Sequence, residues 1–281
     1  MTHLGRLAPG PLLASIALLA AVAACSGPSE PPARGAGARS DPTTAVSPSP
    51  APTTPAGVKH LDLTLDEVGG GSDELGDGAV LAAGPSRFAV VRAEGSGRGP
   101  LLVPGRDGRG RALRLVDGSC RPDAPSACRK ALLVVQDDDP PPGDGDFAYG
   151  AAILMTPQET SKGANVLQRG FSTDGGGQWK LQVDGTPGRP SCVVVGTGSS
   201  DIHVAKADVS VADGRWHELS CQRSGARLEV LVDGARRGVA ELPPGLDVSP
   251  SGPLRIGGKS TREDNDQFLG VLDEVFLLGD G

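Results

Sequence analysis

The histidine and serine positions give the first test for nucleophilic catalysis. Outside the N-terminal leader the chain has three histidines, His60, His203 and His217. A serine hydrolase combines a serine with a base and an orienting acid, and the G-x-S-x-G turn that often exposes the serine does not occur in the sequence. Residues 257–260 end like a phosphate-binding loop, but Pro253 stands where that loop needs its first glycine. These residues therefore predict neither hydrolase nor nucleotide chemistry.

Acidic side chains are concentrated in two loop-like segments. One has aspartates at 137–139, 144 and 146, and the other is the Glu-Asp-Asn-Asp run at 263–266. Calcium prefers several oxygen ligands, so these loops are candidate calcium sites, with Asp264 and Asp266 as candidate ligands. The alternative interpretation is that both segments are solvated loops.

The N-terminus has the pattern of an export signal. Arg6 is the only charge before an apolar run at 12–24, which is shorter than the roughly 20 residues of a membrane-spanning helix. The run ends in Val-Ala-Ala-Cys at 22–25, which is similar to the lipobox of bacterial lipoproteins. We predict a signal peptide at 1–24, lipidation of Cys25, and a location at the bacterial cell membrane, facing the extracytoplasmic side. Ordinary signal peptidase cleavage after Ala23 is the alternative.

The other four cysteines predict disulfides in an exported protein. Metal binding is disfavoured because the chain has no C-x-x-C motif and no paired histidines. Four cysteines allow three pairings. Cys120 and Cys128 flank a short loop, whereas Cys192 and Cys221 lie in strand-like runs that can be neighbours in one sheet. We therefore predict the pairs 120–128 and 192–221.

The chain divides by composition into a tether and one domain. Residues 25–58 are rich in Pro, Ser and Thr and predict an extended spacer. In residues 59–281, Gly and Pro interrupt almost every helical window, and short apolar runs alternate with turns. Residues 177–183 alternate strictly, which places three apolar side chains on one face and three polar ones on the other: Trp179, Leu181 and Val183 against Gln178, Lys180 and Gln182. We predict an all-β fold, a two-sheet antiparallel β-sandwich of jelly-roll type.

Five short motifs follow one another towards the C-terminus. They are Gly-Arg-Trp-His at 214–217, Ser-Cys-Gln-Arg at 220–223, Val-Leu-Val-Asp-Gly at 230–234, Leu-Arg-Ile-Gly-Gly at 254–258 and Phe-Leu-Gly-Val-Leu-Asp-Glu-Val at 268–275. Their order resembles laminin-G-like, concanavalin A-like domains over residues 88–281. The resemblance implies a binding domain in which Trp216 and His217 pack a strand. It also makes Asp273 a calcium candidate, because similar sandwiches use an acid on the last strand for a structural ion; hydrogen bonding of Asp273 to the backbone is the alternative.

Enzymes also share this architecture. Glycosidases use two carboxylates that flank the scissile bond, and concanavalin A-like glycosidases typically place them on one strand as E-x-D-x-x-E or E-x-D-x-E. Neither pattern occurs in the chain. We also expect Trp179 and Trp216 to belong to the core, which leaves few aromatic faces for sugar stacking.

Charge is distributed unevenly along a chain of net charge −7. Residues 60–80 contain six acids and no lysine or arginine, whereas residues 87–130 contain ten bases and four acids. The basic segment is either a surface for an anionic envelope polymer or the solvated faces of strands. A nucleic acid partner is not expected for an exported protein with a pI near 5.1.

Together, these features predict a lipid-anchored, non-catalytic binding module. The membrane is contacted through the N-terminal lipid, and the laminin-G-like domain is presented to a protein or glycan partner of the cell envelope. A structural or assembly protein without a small ligand is the alternative, and a carbohydrate-active enzyme is the second alternative.

Overall fold

The computed structural model describes residues 57–66, 73–83, 86–93, 95–117, 128–136, 142–173 and 175–279. All of them belong to one compact unit, Ser49–Gly281. The predicted signal peptide, the lipidation of Cys25, most of the tether, Cys120 and the aspartates at 137–139 lie outside the described residues. None of the helical turns within the described ranges has the length and apolarity that a membrane span requires.

Sixteen strands make up the described part of the chain, together with two short 3₁₀ turns, Arg106–Gly108 and Pro157–Glu159. The strands are β1 (Val58–Leu63), β2 (Val80–Ala83), β3 (Ser86–Ala93), β4 (Leu101–Pro104), β5 (Arg111–Arg114), β6 (Lys130–Val135), β7 (Phe147–Leu154), β8 (Gly163–Gly170), β9 (Gly176–Asp184), β10 (Arg189–Thr197), β11 (Ile202–Lys206), β12 (Trp216–Ser224), β13 (Arg227–Val232), β14 (Ala235–Glu241), β15 (Arg255–Ile256) and β16 (Val271–Gly279).

The strands form two antiparallel sheets. Sheet A has the order β14-β13-β12-β7-β16-β5-β4, and β1 pairs with the second half of β16. Sheet B has the order β11-β10-β9-β8-β15-β6-β3-β2. The predicted all-β sandwich is confirmed, and β7 is a central strand because it pairs with both β12 and β16.

The core lies between the inner faces of the two sheets. The alternation predicted for β9 is confirmed, since Trp179, Leu181 and Val183 are at most 1% exposed. The ring of Tyr149 from sheet A lies 4.6 Å from that of Trp179, and the Tyr149 hydroxyl donates a hydrogen bond to the Lys180 carbonyl at 3.1 Å. Trp216, at the start of β12, is only partly buried, so the predicted core role applies to Trp179 alone.

A disulfide joins the two sheets. Cys192 on β10 and Cys221 on β12 are bonded, with 5.6 Å between their Cα atoms, and both are fully buried. The predicted pair is confirmed, but the expectation that its two strands are neighbours in one sheet is wrong. Strands β10 and β12 belong to different sheets, so the bond crosses the core. Cys128 is also disulfide-bonded; because its partner lies outside the described residues, the Cys120–Cys128 pair stays a prediction.

Four strands are not marked by any apolar run or motif in the sequence: β1, β2, β11 and β14. All four are short or largely exposed, so they lack the buried apolar run that marks a strand. The predicted Asp233–Gly234 turn is found and leads into β14. Both turn residues have positive φ, 51° and 72°, as a two-residue type I′ hairpin requires.

Candidate functional site

A polar groove of about 810 Å³ lies over the outer face of sheet B. Successive side chains of a strand point to opposite faces. Because Trp179 points into the core, Gln178 and Lys180 on either side of it line the groove. Leu132 and Val134 of β6 form an apolar part of its floor. We call this surface the sheet B groove.

One row of residues crosses the groove floor from strand to strand. Lys180 on β9 pairs with Gln168 on β8, Gln168 pairs with Arg255 on β15, and Arg255 pairs with Val134 on β6. Directly opposed residues share a face, and neighbouring strands lie about 4.8 Å apart. Two cations therefore stand on either side of the Gln168 amide, with their backbones about 10 Å apart.

One wall of the groove is the loop at residues 257–270, between β15 and β16. The buried Gln267 side chain fastens this loop to β6: its Nε2 donates to the Ala131 carbonyl at 2.8 Å, and its Oε1 accepts from the Ala131 N–H at 3.0 Å. At the start of the loop, the Gly257 N–H donates to the Val166 carbonyl at 2.9 Å. Gly257 has φ 85°, and a Cβ there would lie 1.6 Å from Leu115, so this position requires glycine.

Charges in the groove are only partly compensated. The Lys259 ammonium is 3.0 Å from a carboxylate oxygen of Asp266 and 3.3 Å from one of Asp264. In the described part of the chain, no carboxylate forms a salt bridge with the other three cations that line the groove, Lys180, Arg255 and Arg262. The groove therefore combines one lysine paired with two aspartates and three cations that form no salt bridge with any described residue.

Two of these three cations are partly removed from water. Burial lowers the pKa of Lys180 and also that of Arg255. A partly desolvated cation without a counterion is unfavourable for the fold, because burial removes the hydration of the charge. Perturbed groups of this kind are more frequent at functional sites than elsewhere.

Phe171 provides an aromatic face at the end of the groove. Its side chain is 41% exposed, and the Arg255 guanidinium lies 5.2 Å from the ring centroid. The chain turns at Gly170, where φ is 72° and a Cβ would lie 2.4 Å from Pro250. The Gly170 carbonyl accepts a hydrogen bond from the Gln168 amide at 2.8 Å. Backbone geometry and a buried amide thus hold the aromatic residue beside the polar row.

The sequence predicted the groove-facing side chains of only one strand of the groove floor. The alternation of β9 placed Gln178 and Lys180 on the polar face, which is confirmed. Phe171 and Arg255 were missed because no local signal marks them. They reach the site through the pairing of β8 with β15, which joins residues almost 90 positions apart in the chain.

The predicted calcium ligands lie in two different places. Asp264 and Asp266 are in the groove wall beside Lys259, so a cation already neutralises them. Asp273 lies on β16 in sheet A and is 5% exposed. Burial raises its pKa to about 6, and the negative charges of Glu274 and Asp66 raise it further.

The surroundings of Asp264, Asp266 and Asp273 determine how well each of them suits a calcium ion. Within the described ranges, no cluster of three or more His, Cys, Asp or Glu side chains is arranged to hold a metal. A bound cation would relieve the repulsion between Asp273 and the negative charges of Glu274 and Asp66. Asp264 and Asp266 already form salt bridges with Lys259. Calcium binding therefore stays a prediction, and Asp273 is its best-fitting candidate.

His217 belongs to a cluster of paired charges at the start of β12. Its Nδ1 is 2.8 Å from a carboxylate oxygen of Asp233, and its Nε2 is 3.1 Å from one of Asp213. The other oxygen of Asp233 accepts the Glu218 N–H at 2.9 Å. Hydrogen bonds from Arg215 lower the pKa of Asp213 to about 2. Both imidazole nitrogens have partners, which supports the structural role that the resemblance implied for His217.

The basic segment at 87–130 is largely paired with acids elsewhere in the fold. Arg98 lies 3.2 Å and Arg92 3.7 Å from carboxylate oxygens of Glu74, and Arg111 pairs with Asp73. The acid-rich and base-rich stretches therefore contact each other. This arrangement removes the main reason for assigning a polyanion-binding surface to the basic segment.

The two antiparallel sheets form a sandwich of jelly-roll type, with a groove of ligand size over the outer face of sheet B. The family model described as the concanavalin A-like lectin/glucanases superfamily matches residues 141–279. Residues 141–279 thus match the laminin-G-like, concanavalin A-like class that the motifs indicated. A search of curated proteins gives no match.

Solved structures with a similar fold come from several organisms. Domains LG4-5 of the mouse laminin alpha1 chain share 13% identity at a TM-score of 0.40, covering 52% of this chain and 37% of that one. A pentraxin from Limulus polyphemus shares 15% identity at 0.38, covering 50% and 66%. The carbohydrate-binding module CBM66 from Bacillus subtilis shares 13% identity at 0.36, covering 68% and 95%. The chain thus spans about a third of the laminin fragment and just under two thirds of the pentraxin.

Proposed function

We propose that this protein is a non-catalytic binding module that holds a glycan of the cell envelope in the sheet B groove. Lipidation of Cys25 anchors it at the bacterial membrane, and the tether at 25–58 carries the domain away from the extracytoplasmic surface. The observation that carries the proposal is the groove itself, in which polar, cationic and aromatic side chains meet above a rigid sheet.

The hydrogen-bonding groups of the groove favour a glycan over a protein partner. Ser172 and Thr173 line it, and their hydroxyls can each bond a sugar hydroxyl. The floor strands β8, β15 and β6 have neighbours on both sides, so a peptide cannot be added there as a further strand. A polyhydroxylated ligand uses the side chains that this floor presents, and Phe171 offers a ring on which a sugar can stack.

The carboxylates of the groove support binding rather than hydrolysis. A glycosidase needs one protonated acid and one free carboxylate on opposite sides of the scissile bond. Asp264 and Asp266 share the same lysine ammonium, which holds them on the same wall of the groove. This arrangement does not place two carboxylates on opposite sides of a bound sugar, as glycoside hydrolysis needs.

A glycan array tests the proposal with the secreted Cys25→Ala chain. We expect binding to a subset of bacterial surface polysaccharides, and we expect Phe171→Ala to weaken it about fivefold or more through loss of stacking area. Val239→Ala is the matched control because Val239 is 46% exposed on β14 of sheet A, away from the groove. If no polysaccharide binds, or if Phe171→Ala and Val239→Ala bind alike, the groove is not a glycan site and the structural alternative is favoured.

The membrane anchor has its own test. Cells that express the Cys25→Ala chain are expected to release it into the medium, whereas the unaltered chain stays in the membrane fraction. Persistence of the variant in the membrane fraction would show that Cys25 is not the anchor.

A further inference from the structure

We infer, building on the proposed function, that the ligand is an anionic saccharide whose acidic group is bound between Lys180 and Arg255. This inference concerns the class of glycan and the residues that select it. The acidic group is a carboxylate or a phosphate carried by a sugar, and the row Lys180–Gln168–Arg255 forms its binding site.

The row has the geometry for a single anionic group. Lys180 and Arg255 each oppose Gln168 directly, on the two strands that flank it. The two cations are therefore two strand spacings apart, about 10 Å at the backbone, and both have long side chains that line the same groove. An anion above Gln168 can accept hydrogen bonds from an ammonium on one side and a guanidinium on the other, which are the strongest class of protein hydrogen bond.

The pairing of nearby acids leaves this position for an external anion. Asp264 and Asp266 contact Lys259. Asp184, on the same strand as Lys180, accepts a hydrogen bond from Ser191 at 2.6 Å and lies 3.8 Å from the Lys206 ammonium. The acids around the row thus have other partners, while Lys180 and Arg255 form no salt bridge among the described residues; Asp266 and Asp184 attract Lys180 only at longer range. A bound anion offsets that unfavourable arrangement.

The neighbouring groups indicate that the anion is part of a sugar. An acidic peptide or a simple anion requires only the cations. Here the row continues into the Gln178 amide, the Ser172 and Thr173 hydroxyls and the exposed ring of Phe171. Neutral hydrogen-bonding groups and an aromatic face beside a pair of cations match a sugar ring that carries one acidic substituent.

Binding of defined polymers tests the inference. The probes are polygalacturonate, its carboxyl-reduced neutral form, a phosphomannan, its dephosphorylated form, and poly-L-glutamate, each measured by calorimetry against the secreted Cys25→Ala chain. We expect one or both acidic polysaccharides to bind, with each neutral counterpart at least about 10-fold weaker. The two acidic probes distinguish a carboxylate from a phosphate ligand.

Variants locate the contact. Lys180→Met and Arg255→Met are each expected to weaken binding of the acidic polysaccharide about 10-fold, and Lys180→Arg to retain it, because one charge-assisted hydrogen bond is lost or kept. Arg227→Met is the matched control, since it removes the same charge from an exposed position on β13 of sheet A. Thermal melting of each variant, with the Cys192–Cys221 bond intact, checks that the fold is retained.

The outcomes separate this inference from the proposed function. Equal binding of acidic and neutral forms, with Phe171→Ala still harmful, overturns the anionic ligand and leaves the glycan module standing. Poly-L-glutamate binding as tightly as the polysaccharides overturns the saccharide selectivity. If these polymers fail while other array glycans bind, the inference is wrong; if nothing on the array binds either, the proposed function is wrong as well.

Discussion

Two charged regions of this domain differ in how their charges are compensated. In the first, at the start of β12, His217 lies between Asp213 and Asp233, and Arg106 pairs with Glu218. In the second, the sheet B groove, only Lys259 is paired and three cations have no salt bridge among the described residues. The first region resembles a closed network, whereas the second is open to a partner from outside the chain.

The difference separates framework from site. Charges that the fold uses for its own stability have partners in the fold, because an uncompensated charge that is partly buried is destabilising. His217 follows Trp216 in a conspicuous motif, and its contacts with Asp213 and Asp233 are structural. Lys180 lies in an ordinary strand, but its surroundings are those of a binding residue.

The largest expected effect concerns the most buried ion pair on the framework side. Arg114 donates to Glu159 at 2.6 Å, and Glu159 also accepts the Thr156 N–H at 2.7 Å. Glu159 is 9% exposed. Glu159→Ala leaves the Thr156 N–H without this acceptor and leaves a partly buried arginine without its carboxylate, with only the Leu269 carbonyl remaining as a partner. We therefore expect the free energy of unfolding to fall by about 3 kcal/mol. Urea denaturation measures it.

Glu241→Ala is the control for that variant. Glu241 also pairs with an arginine, but its side chain is 75% exposed. Surface pairs contribute about 0.2–1 kcal/mol, so the change should be small. Equal effects of the two substitutions would contradict the claim that buried pairing defines the framework.

Asp273 is the exception on the sheet A side, since it is a buried acid without a salt bridge among the described residues. Its folded-state pKa of about 6 lies above the ordinary value of 3.8. Stability from this group is thus fully present below about pH 4 and is lost as the pH rises through 6. In EDTA at pH 8, we expect Asp273→Asn to raise the free energy of unfolding by about 1 kcal/mol. At pH 4 the gain should vanish; a gain that is independent of pH would contradict the role of ionisation.

The same variant tests the calcium prediction. If Asp273 is a calcium ligand, calcium raises the melting temperature of the unaltered chain and has little effect on Asp273→Asn. Identical melting curves of the unaltered chain in calcium and in EDTA would remove calcium from this position.

A smaller effect is expected at His217. Replacing it by alanine removes its contacts with the Asp233 and Asp213 carboxylates, and we expect a loss of stability of about 1 kcal/mol. Binding of the acidic polysaccharide should not change, because His217 lies on sheet A. Weaker polysaccharide binding by a folded His217→Ala chain would contradict the assignment of His217 to the structural framework.

The sequence predicts the fold better than the site, for physical reasons. A strand with one buried face can show an apolar period that is visible locally, as in β9, and a central strand such as β7 shows a continuous apolar run. Edge strands such as β14 contain no fully buried residue and show no such apolar pattern. The C-terminal motifs carry the family resemblance because they encode turns, such as the positive φ angles at Asp233 and Gly234.

The groove escapes prediction because sheet register assembles it. Lys180, Gln168 and Arg255 are spread over almost 90 positions of the chain and are joined only when β15 inserts between β8 and β6. The position of the Cys192–Cys221 bond in the fold also depends on how the sheets are assembled. Its pairing follows from counting cysteines, but whether it lies within a sheet or between sheets depends on a topology that spacing does not reveal.

We expect the smallest change in stability at Lys180, the residue that best distinguishes the paired framework charges from the cations of the sheet B groove. Burial holds the pKa of Lys180 below 10.5, so the charged form disfavours folding, and stability rises as the pH increases from that lowered value towards 10.5. Lys180→Met should remove this rise and leave the stability at pH 7 within about 0.5 kcal/mol of the unaltered chain, or above it. Urea denaturation between pH 7 and 10.5 measures both. If Lys180 instead stabilised the fold, Lys180→Met would cause a clear loss of stability at pH 7. That result would assign Lys180, like Arg114, to the structural framework and not to the binding residues.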